Sequence, residues 1–498
     1  MKIISPGQMT EIESLAYQQG ASSADFMEEA GSGIALVVHD YVERNGLNHM
    51  ALLLCGKGNN AGDAYVAGTH LLDLDYDVSA IQLVDIDECS FLCKQNYERF
   101  ISRGGRIVEP TIDFPKRGVI IDGLFGTGFQ GIPTGIFSAV IRSANKSKLP
   151  IIAVDIPSGL NGETGETPGD VITATETAFL GLPKTGFFLN NGWNHVGKLH
   201  YVDFGLPQKI IDECESNEFM LTTDLVEPHL PSIVRNRNKY EAGYVVGLAG
   251  SPGMPGAAIL ASISALRGGA GIVRLLHPQG MEAELASSPY EIIRTPYRHN
   301  HIEPIIEEMN RASSTFIGPG LGTSPDTCSL LRAILPRLEK PCAIDADALN
   351  FLAENEDVPL PKHTIMTPHM GEMMRLLKLK TRPEINLTFL DSCRAFAEKK
   401  QVTLVLKGGP SFIFQGNLST LTNPTGDPGM ATAGTGDILT GLIASLLAQG
   451  LPTREAASLA VFLHGLAGEH AAEEMTSYAM TASDLLYHFP EAFKFLAT

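Results

Sequence analysis

Three short stretches place glycines and side-chain oxygens where apolar runs end: "GKGNNAGDAY" (56–65), "IIDGLFGTGFQGI" (120–132) and "AVDIPSGLNGETG" (153–165). Glycine lets a backbone approach a ligand closely, and free N–H groups at the start of a following helix attract an anion. The first stretch fits neither G-x-x-x-x-G-K-[ST] nor G-x-G-x-x-G. Asn60, Asp122 and Ser158 could supply oxygens from three neighbouring loops. Such a mixture of neutral and singly charged oxygens suits a hard cation of low charge, with carbonyls completing its shell. The same residues also suit plainer duties, a Gly-rich turn that only turns and short polar helix caps at Asp122 and Ser158. Lys184, in "GLPKTG" (181–186), is either a solvated surface charge or the partner of Asp155 in one crevice. In the second case the two form an acid/base pair that tunes both groups.

In the second half, "AGTGDILTGLIASLLAQG" (433–450) sets Gly434 and Gly436 ahead of a long apolar helix, with Asp437 in its first turn. Amides there can hold phosphoryl oxygens while the carboxylate takes a proton from a hydroxyl nucleophile. The plainer duty for Asp437 is an N-cap. His369, in "HTIMTPHMGE" (363–372), follows a strand-like run and precedes Glu372, which favours a site over an ordinary structural histidine. Asp345 and Asp347, in "DADAL" (345–349), are at most supports for a ligand loop.

The elements that must position these groups follow from periodicity. "MALLLC" (50–55), "VSAIQLV" (78–84), "RGVIID" (117–122), "PIIAVDIP" (150–157) and "VITATETAFLG" (171–181) are continuous apolar, β-branched runs separated by helical patterns. The second half repeats this with "GYVVGLAGS" (243–251), "GIVRLLHP" (271–278), "TFIGPGLG" (315–322), "PCAIDADAL" (341–349) and "QVTLVLKGG" (401–409). Strands apolar on both sides belong to parallel sheets covered by helices on both faces, hence two three-layer α/β domains. Such sheets bind ligands beyond their C-terminal strand ends, where every candidate residue falls. Residues 206–243 are polar and without strand character, placing the boundary near 216–221 and the domains at 1–217 and 222–498.

A chain of 498 residues accommodates two full cores. Its formal charge of −19 argues against a nucleic-acid or anionic-membrane surface, although a phosphate site built from backbone amides remains open. The seven scattered cysteines, without C-x-x-C spacing, predict reduced thiols. The first residues lack the apolar core of a signal peptide, and no run approaches the ~20 apolar residues of a membrane span. The expected setting is cytoplasmic, with small-molecule partners and a homo-oligomeric assembly.

"GKGNNAGDAYVAG", "DGLFGTGFQG" and "VDIPSGLNGETG" resemble the YjeF N-terminal domain, the NAD(P)H-hydrate epimerase, over about residues 1–215. The resemblance implies a Rossmann-like domain that interconverts the R and S hydrates of NADH or NADPH at nicotinamide C6. It implies K⁺ at Asn60, Asp122 and Ser158. Implied substrate contacts are Asn59, Asn60, Ala61, Gly62 and Asp63, then Gly126, Thr127, Gly128, Phe129, Gln130, Gly131 and Ile132, and Asp155; the candidate catalytic pair of this half is Asp155 and Lys184, as read from the residues above. Ala61 and Ala64 replace glycines of the usual N-N-G-G-D-G, and because alanine tolerates positive φ poorly, an altered loop is expected.

The G-T-G-D of 434–437 resembles the ribokinase superfamily. "GSPGMPGAAILASISALRGGAG", "IGPGLG", "DADAL", "TPHMGE", "LKGG" and "NPTGDPGMATAGTGDILTG" narrow this to the ADP-dependent (S)-NAD(P)H-hydrate dehydratases, over about residues 222–498. The resemblance implies that ADP or ATP phosphorylates the 6-hydroxyl, which leaves as phosphate with help from the ring nitrogen lone pair. Asp437 would be the base. Ala257, Gly320, Gly322 and His369 would contact the hydrate, Lys407, Gly408, Gly409, Pro410, Ser411 and Gly436 the nucleotide, and Mg²⁺ would bridge the phosphates. Met370 replaces the proline of T-P-H-P-G-E, which predicts a looser turn. The rival reading is a hydroxymethyl-pyrimidine or thiazole-type kinase carrying a non-catalytic nucleotide-binding N-terminal domain. It predicts a stable phosphorylated product in place of released phosphate.

Overall fold

The computed structural model describes residues 1–110 and 114–497. They form two compact units, Met1–Asn217 and Glu218–Thr498. All seven cysteines are free thiols, and no helix among the described residues is long and apolar enough to cross a membrane.

The first unit contains strands β1 (Met50–Cys55), β2 (Asp77–Gln82), β3 (Arg106–Ile107), β4 (Val119–Gly123), β5 (Ile151–Val154), β6 (Glu176–Leu180) and β7 (Lys198–Val202). Their order is β3-β2-β1-β4-β5-β6-β7, every neighbour parallel. The aliphatic runs are buried from both sides. Helices Ser23–Arg44 and Asn59–Asp73 seal one face through Ile34, Val38, Ala64 and Tyr65. Val140, Ile141 and Ala144 of helix Gly135–Lys146 seal the other. Gly31 permits the tight crossing of the first two helices, since a Cβ there would sit 2.4 Å from the Val66 side chain. The run at 171–181 is strand only over Glu176–Leu180.

The second unit contains β8 (Glu218–Met220), β9 (Tyr244–Leu248), β10 (Ile272–Pro278), β11 (Ile292–Tyr297), β12 (Ser314–Ile317), β13 (Cys342–Ile344), β14 (Thr364–Met366), β15 (Thr403–Leu406), β16 (Ser411–Gln415) and β17 (Thr420–Asn423). Their order is β11-β10-β9-β12-β13-β14-β15-β16-β17-β8, antiparallel only at β15/β16 and β16/β17. β8 corrects the strandless reading of 206–243. It is an edge strand of three residues, too short for a period to show, held by β17 through Leu421↔Phe219. The helix Thr435–Ala448 is buried throughout from Ile438 onward. It lies against helix Pro255–Arg267 so closely that a Cβ on Gly441 would stand 2.0 Å from the Ala261 carbonyl oxygen.

The substituted glycine positions of the first motif are not in a loop. Gly58 is the N-cap, and Asn59 already begins the helix, so Ala61 and Ala64 are helical and fully buried. The expected loop alteration is therefore absent, and alanine is the best residue for that conformation. Its Cβ at 64 also fills the space beside Gly123, where a second Cβ would come within 2.7 Å. Ala64→Gly is predicted to destabilise the first unit by about 1–2 kcal/mol, read as a lower urea midpoint for that unit.

Candidate active sites

In the first unit the strand order reverses between β1 and β4, and the loops beyond these strands frame a cavity of about 790 Å³. Asn59, Asn60, Asp63, Gly126, Thr127, Gly128, Phe129, Gln130, Ile132 and Asp155 all line it. Ala61, Gly62 and Gly131 do not, since the first two turn into the helix packing. Asp155 follows β5 with φ +62°, a left-handed conformation that aspartate tolerates better than most residues. Its Oδ1 accepts from the Leu180 amide at 3.1 Å and from Lys184 Nζ. Lys184 is completely buried and also donates to the Leu180 carbonyl at 3.0 Å. It is therefore the crevice partner of Asp155 rather than a surface charge.

Behind this wall Asp122 is fully buried. It accepts from Ser158 N at 2.8 Å, Ser158 Oγ at 2.6 Å and Leu124 N at 3.3 Å. Burial pushes its carboxyl up to about 6 against those three donors. The Phe125 carbonyl joins them, 3.0 Å from Asn60 Nδ2 and 3.3 Å from Ser158 Oγ, so Asn60, Asp122 and Ser158 meet as oxygen-bearing neighbours. Among the described residues no three His, Cys, Asp or Glu side chains cluster to hold a metal.

Sequence reasoning missed Glu13 and Tyr17, which come from helix Pro6–Gln18 and line the same cavity. Burial, then the Asp155 charge, raise Glu13 to about 7, while Lys184 opposes. Asp63 is raised well above the usual carboxylate range by burial, Asp155 and Glu13. Nothing in "GQMTEIESLA" separates Glu13 from an ordinary exposed glutamate of an amphipathic helix.

The second site gathers where β9, β12, β13, β14 and β15 end. Gly320 and Gly322 adopt φ +60° and +76°. Ser251 Oγ donates to the Gly320 carbonyl at 2.8 Å, and the Gly322 amide donates to Asp347 Oδ2 at 2.8 Å. Ala257 abuts this loop, 3.1 Å from where a Gly320 Cβ would stand. Asp345, buried, ties two elements together: Oδ1 takes Lys407 Nζ at 2.7 Å and Oδ2 takes Thr440 Oγ1 at 2.7 Å. Its importance exceeds the loop support expected from sequence. Gly436 admits Lys407 below it, since a Cβ there would lie 3.1 Å from Nζ. Gly408, Gly409 and Pro410 form the turn beyond Lys407, closed by Ser411 Oγ donating to the Gly408 carbonyl at 3.1 Å.

His369 performs the structural one of its candidate duties. As N-cap of helix Met370–Leu376 its Nδ1 accepts from the amides of Gly371 at 2.9 Å and Glu372 at 3.4 Å. Glu372 Oε2 accepts in return from His369 N at 2.8 Å. This capping box pins the turn, so Met370 loosens nothing. Burial, Lys407 and Arg375 keep the imidazole below its ordinary value, and with Nδ1 accepting from the backbone the ring proton sits on Nε2.

Asp437 is pushed up to about 7 by burial and by Asp345, with Lys407 opposing. Glu372 is likewise raised to about 7, chiefly by burial. A carboxyl raised in the folded state binds a proton more tightly there than when unfolded. Its stabilising contribution is thus full below the unfolded value and is lost as pH rises toward 7. Asp437→Asn is predicted to raise the stability of the second unit by roughly 2–4 kcal/mol at pH 8 and to change it little at pH 4. Denaturant midpoints at the two pH values check this.

Residues 245–491 match the family model for NAD(P)H-hydrate dehydratase, and residues 23–186 match that for the YjeF-related protein N-terminus. A bifunctional NAD(P)H-hydrate repair enzyme of Moorella thermoacetica is 36% identical over 98% of this chain and 96% of its own. One from Thermofilum pendens is 32% identical, covering 97% and 94%. The second unit is similar to a ribokinase-like superfamily structure from Enterococcus faecalis, 26% identical with a TM-score of 0.51, covering 57% of this chain and 98% of that one. The two sites thus sit in the two halves of relatives that this chain matches from end to end, and the chain belongs to the family of bifunctional NAD(P)H-hydrate repair enzymes.

Proposed function

We propose that the first unit interconverts the R and S hydrates of NADH or NADPH at nicotinamide C6, and that the second dehydrates the S form using ADP or ATP. The observation that carries the second step is Asp437, a carboxylate poised near neutrality at a glycine-flanked helix start. It takes the proton of the 6-hydroxyl as that oxygen attacks the terminal phosphorus. The phosphorylated oxygen then leaves C6 with the bonding pair, the N1 lone pair assists, and loss of a C5 proton restores the dihydropyridine. His369 Nε2–H and the Gly320–Gly322 loop orient the hydrate, while Lys407, residues 408–411 and Gly436 receive the nucleotide. Asp345 and Asp347 are already engaged by Lys407, Thr440 and the Gly322 amide, so Mg²⁺ would enter with the nucleotide and would supply positive charge to the transferring phosphoryl group. The kinase reading is disfavoured, because the full-length relatives carry the repair name over both halves.

In the first unit, Asp155 takes the hydroxyl proton of the hydrate, and Lys184 behind it holds the carboxylate in place. Asn60, Asp122, Ser158 and the Phe125 carbonyl fit K⁺, since Asp122 is a buried carboxylate whose shift includes no cationic side chain. When bound, K⁺ would supply that missing charge and would be held by Asn60, Asp122, Ser158 and the Phe125 carbonyl.

Mixed R and S hydrates incubated with ADP or ATP test the proposal. Asp437→Asn is expected to lower NAD(P)H formation at least ~100-fold. Asp155→Asn is expected to leave S hydrate convertible and R hydrate falling only at its spontaneous rate. Full conversion of both epimers by both variants overturns the assignments. In the wild type, dehydration rises with pH through about 7 as Asp437 loses its proton. Replacing K⁺ by choline is expected to slow epimerisation and lower the unfolding midpoint of the first unit, and Asp122→Asn to remove both responses.

A further inference from the structure

Of the Asp155–Lys184 pair only Asp155 lines the first cavity, with Lys184 fully buried behind it, so the pair offers the hydrate one proton-handling group, yet inverting a carbon that bears a hydroxyl and a ring nitrogen needs two. Opening the ring at C6 moves the hydroxyl proton to a base, forms C6=O and breaks C6–N1, with the electron pair going to N1, which must take a proton from an acid. Reclosure on the opposite face returns both protons, and no oxidant or reductant is consumed. The base is accounted for above, but the acid is not.

We propose that Glu13 is this acid, the second proton-handling group of the epimerisation cavity, delivered by the N-terminal helix Pro6–Gln18. The inference rests on the epimerase reading of that cavity. Glu13 lines it together with Asp63 and Asp155. Its helix is anchored through Ile4 of the preceding segment. Ile4 N donates to the Pro183 carbonyl at 3.1 Å and Thr185 N donates to the Ile4 carbonyl at 2.9 Å, the two bonds flanking Lys184. A capping box of Ser5 and Gln8 starts the helix, and Met9, Ile12 and Ala16 bury its inner face. This backbone tie sets Glu13 and Lys184 in register, which an incidental surface glutamate does not need. The charges facing Glu13 are Asp155 beyond β5, Lys184 beyond β6 and, through its coupling to Glu13, Asp63 of the helix Asn59–Asp73; Tyr17 lies on its own helix. Burial, then the Asp155 charge, favour the protonated form of Glu13 against the opposing Lys184, raising it to about 7. Glu13 and Tyr17 lie outside the segment that matches the family model, 23–186.

The test follows R-to-S conversion by chromatography, with the full chain, K⁺ and no adenine nucleotide, between pH 5.5 and 9. The wild type is expected to show kcat falling as pH rises through about 7, the side on which an acid with the value of Glu13 loses its proton. Glu13→Gln is expected to lose at least ~100-fold in kcat with KM within ~3-fold and to lose that alkaline limb, while Glu13→Asp retains part of both. A Glu13→Gln rate within threefold of wild type overturns the proposal and leaves the epimerase reading standing. So does a wild-type kcat flat above pH 6, which decides the matter even if the Gln variant fails to fold. A wild type that does not exceed the spontaneous rate overturns the epimerase reading itself.

Discussion

Each unit is organised around a lysine that reaches back, out of water, to an aspartate at the end of a parallel strand. In the first, fully buried Lys184 meets Asp155. In the second, Lys407 meets Asp345, whose side chain is 2% exposed. Removing two charges from water is costly, and losing one partner of such a pair typically costs about 3–5 kcal/mol. The pairs persist because further donors and acceptors complete them: the Leu180 amide and carbonyl in one case, Thr440 in the other. That requirement places the strand ends, the turn at Asp155 and the start of the helix Thr435–Ala448 in fixed relation.

A fixed buried pair also sets the acidity of its neighbours. Glu13 stands by Asp155 and Lys184, while Asp437 and Glu372 stand by Asp345 and Lys407. In each case desolvation raises the carboxyl, the paired aspartate adds to the rise and the lysine restrains it. The net result is a group that titrates near neutrality, where acid and base catalysis are both efficient. On the roles proposed for Glu13 and Asp437, one physical device would serve a proton-transfer step in one unit and a phosphoryl-linked elimination in the other.

Much of this was legible because parallel sheets expose their chemistry at strand ends. Asp122, Asp155 and Ser158 stand immediately after apolar runs, and Gly434, Gly436 and Asp437 stand immediately before one. Glu13 was not legible, because its helix looks like any amphipathic helix and its place in the cavity depends on the Ile4 contacts to the Pro183–Thr185 segment. Asp345 was undervalued for a similar reason: its partners, Lys407 and Thr440, lie 62 and 95 residues away. Ala61, Ala64 and Met370 misled because motif comparison treats a position as loop, whereas here each lies in a helix whose cap is Gly58 or His369.

The central claim is that a buried lysine–aspartate pair holds a neighbouring carboxyl near neutrality in each unit. Carboxyl carbon NMR on the Asp- and Glu-labelled chain, with Glu13→Gln and Asp437→Asn used to assign the signals, measures this directly. Titration midpoints near 7 are expected for both Glu13 and Asp437. Midpoints near 4, the ordinary carboxylate value, would contradict it.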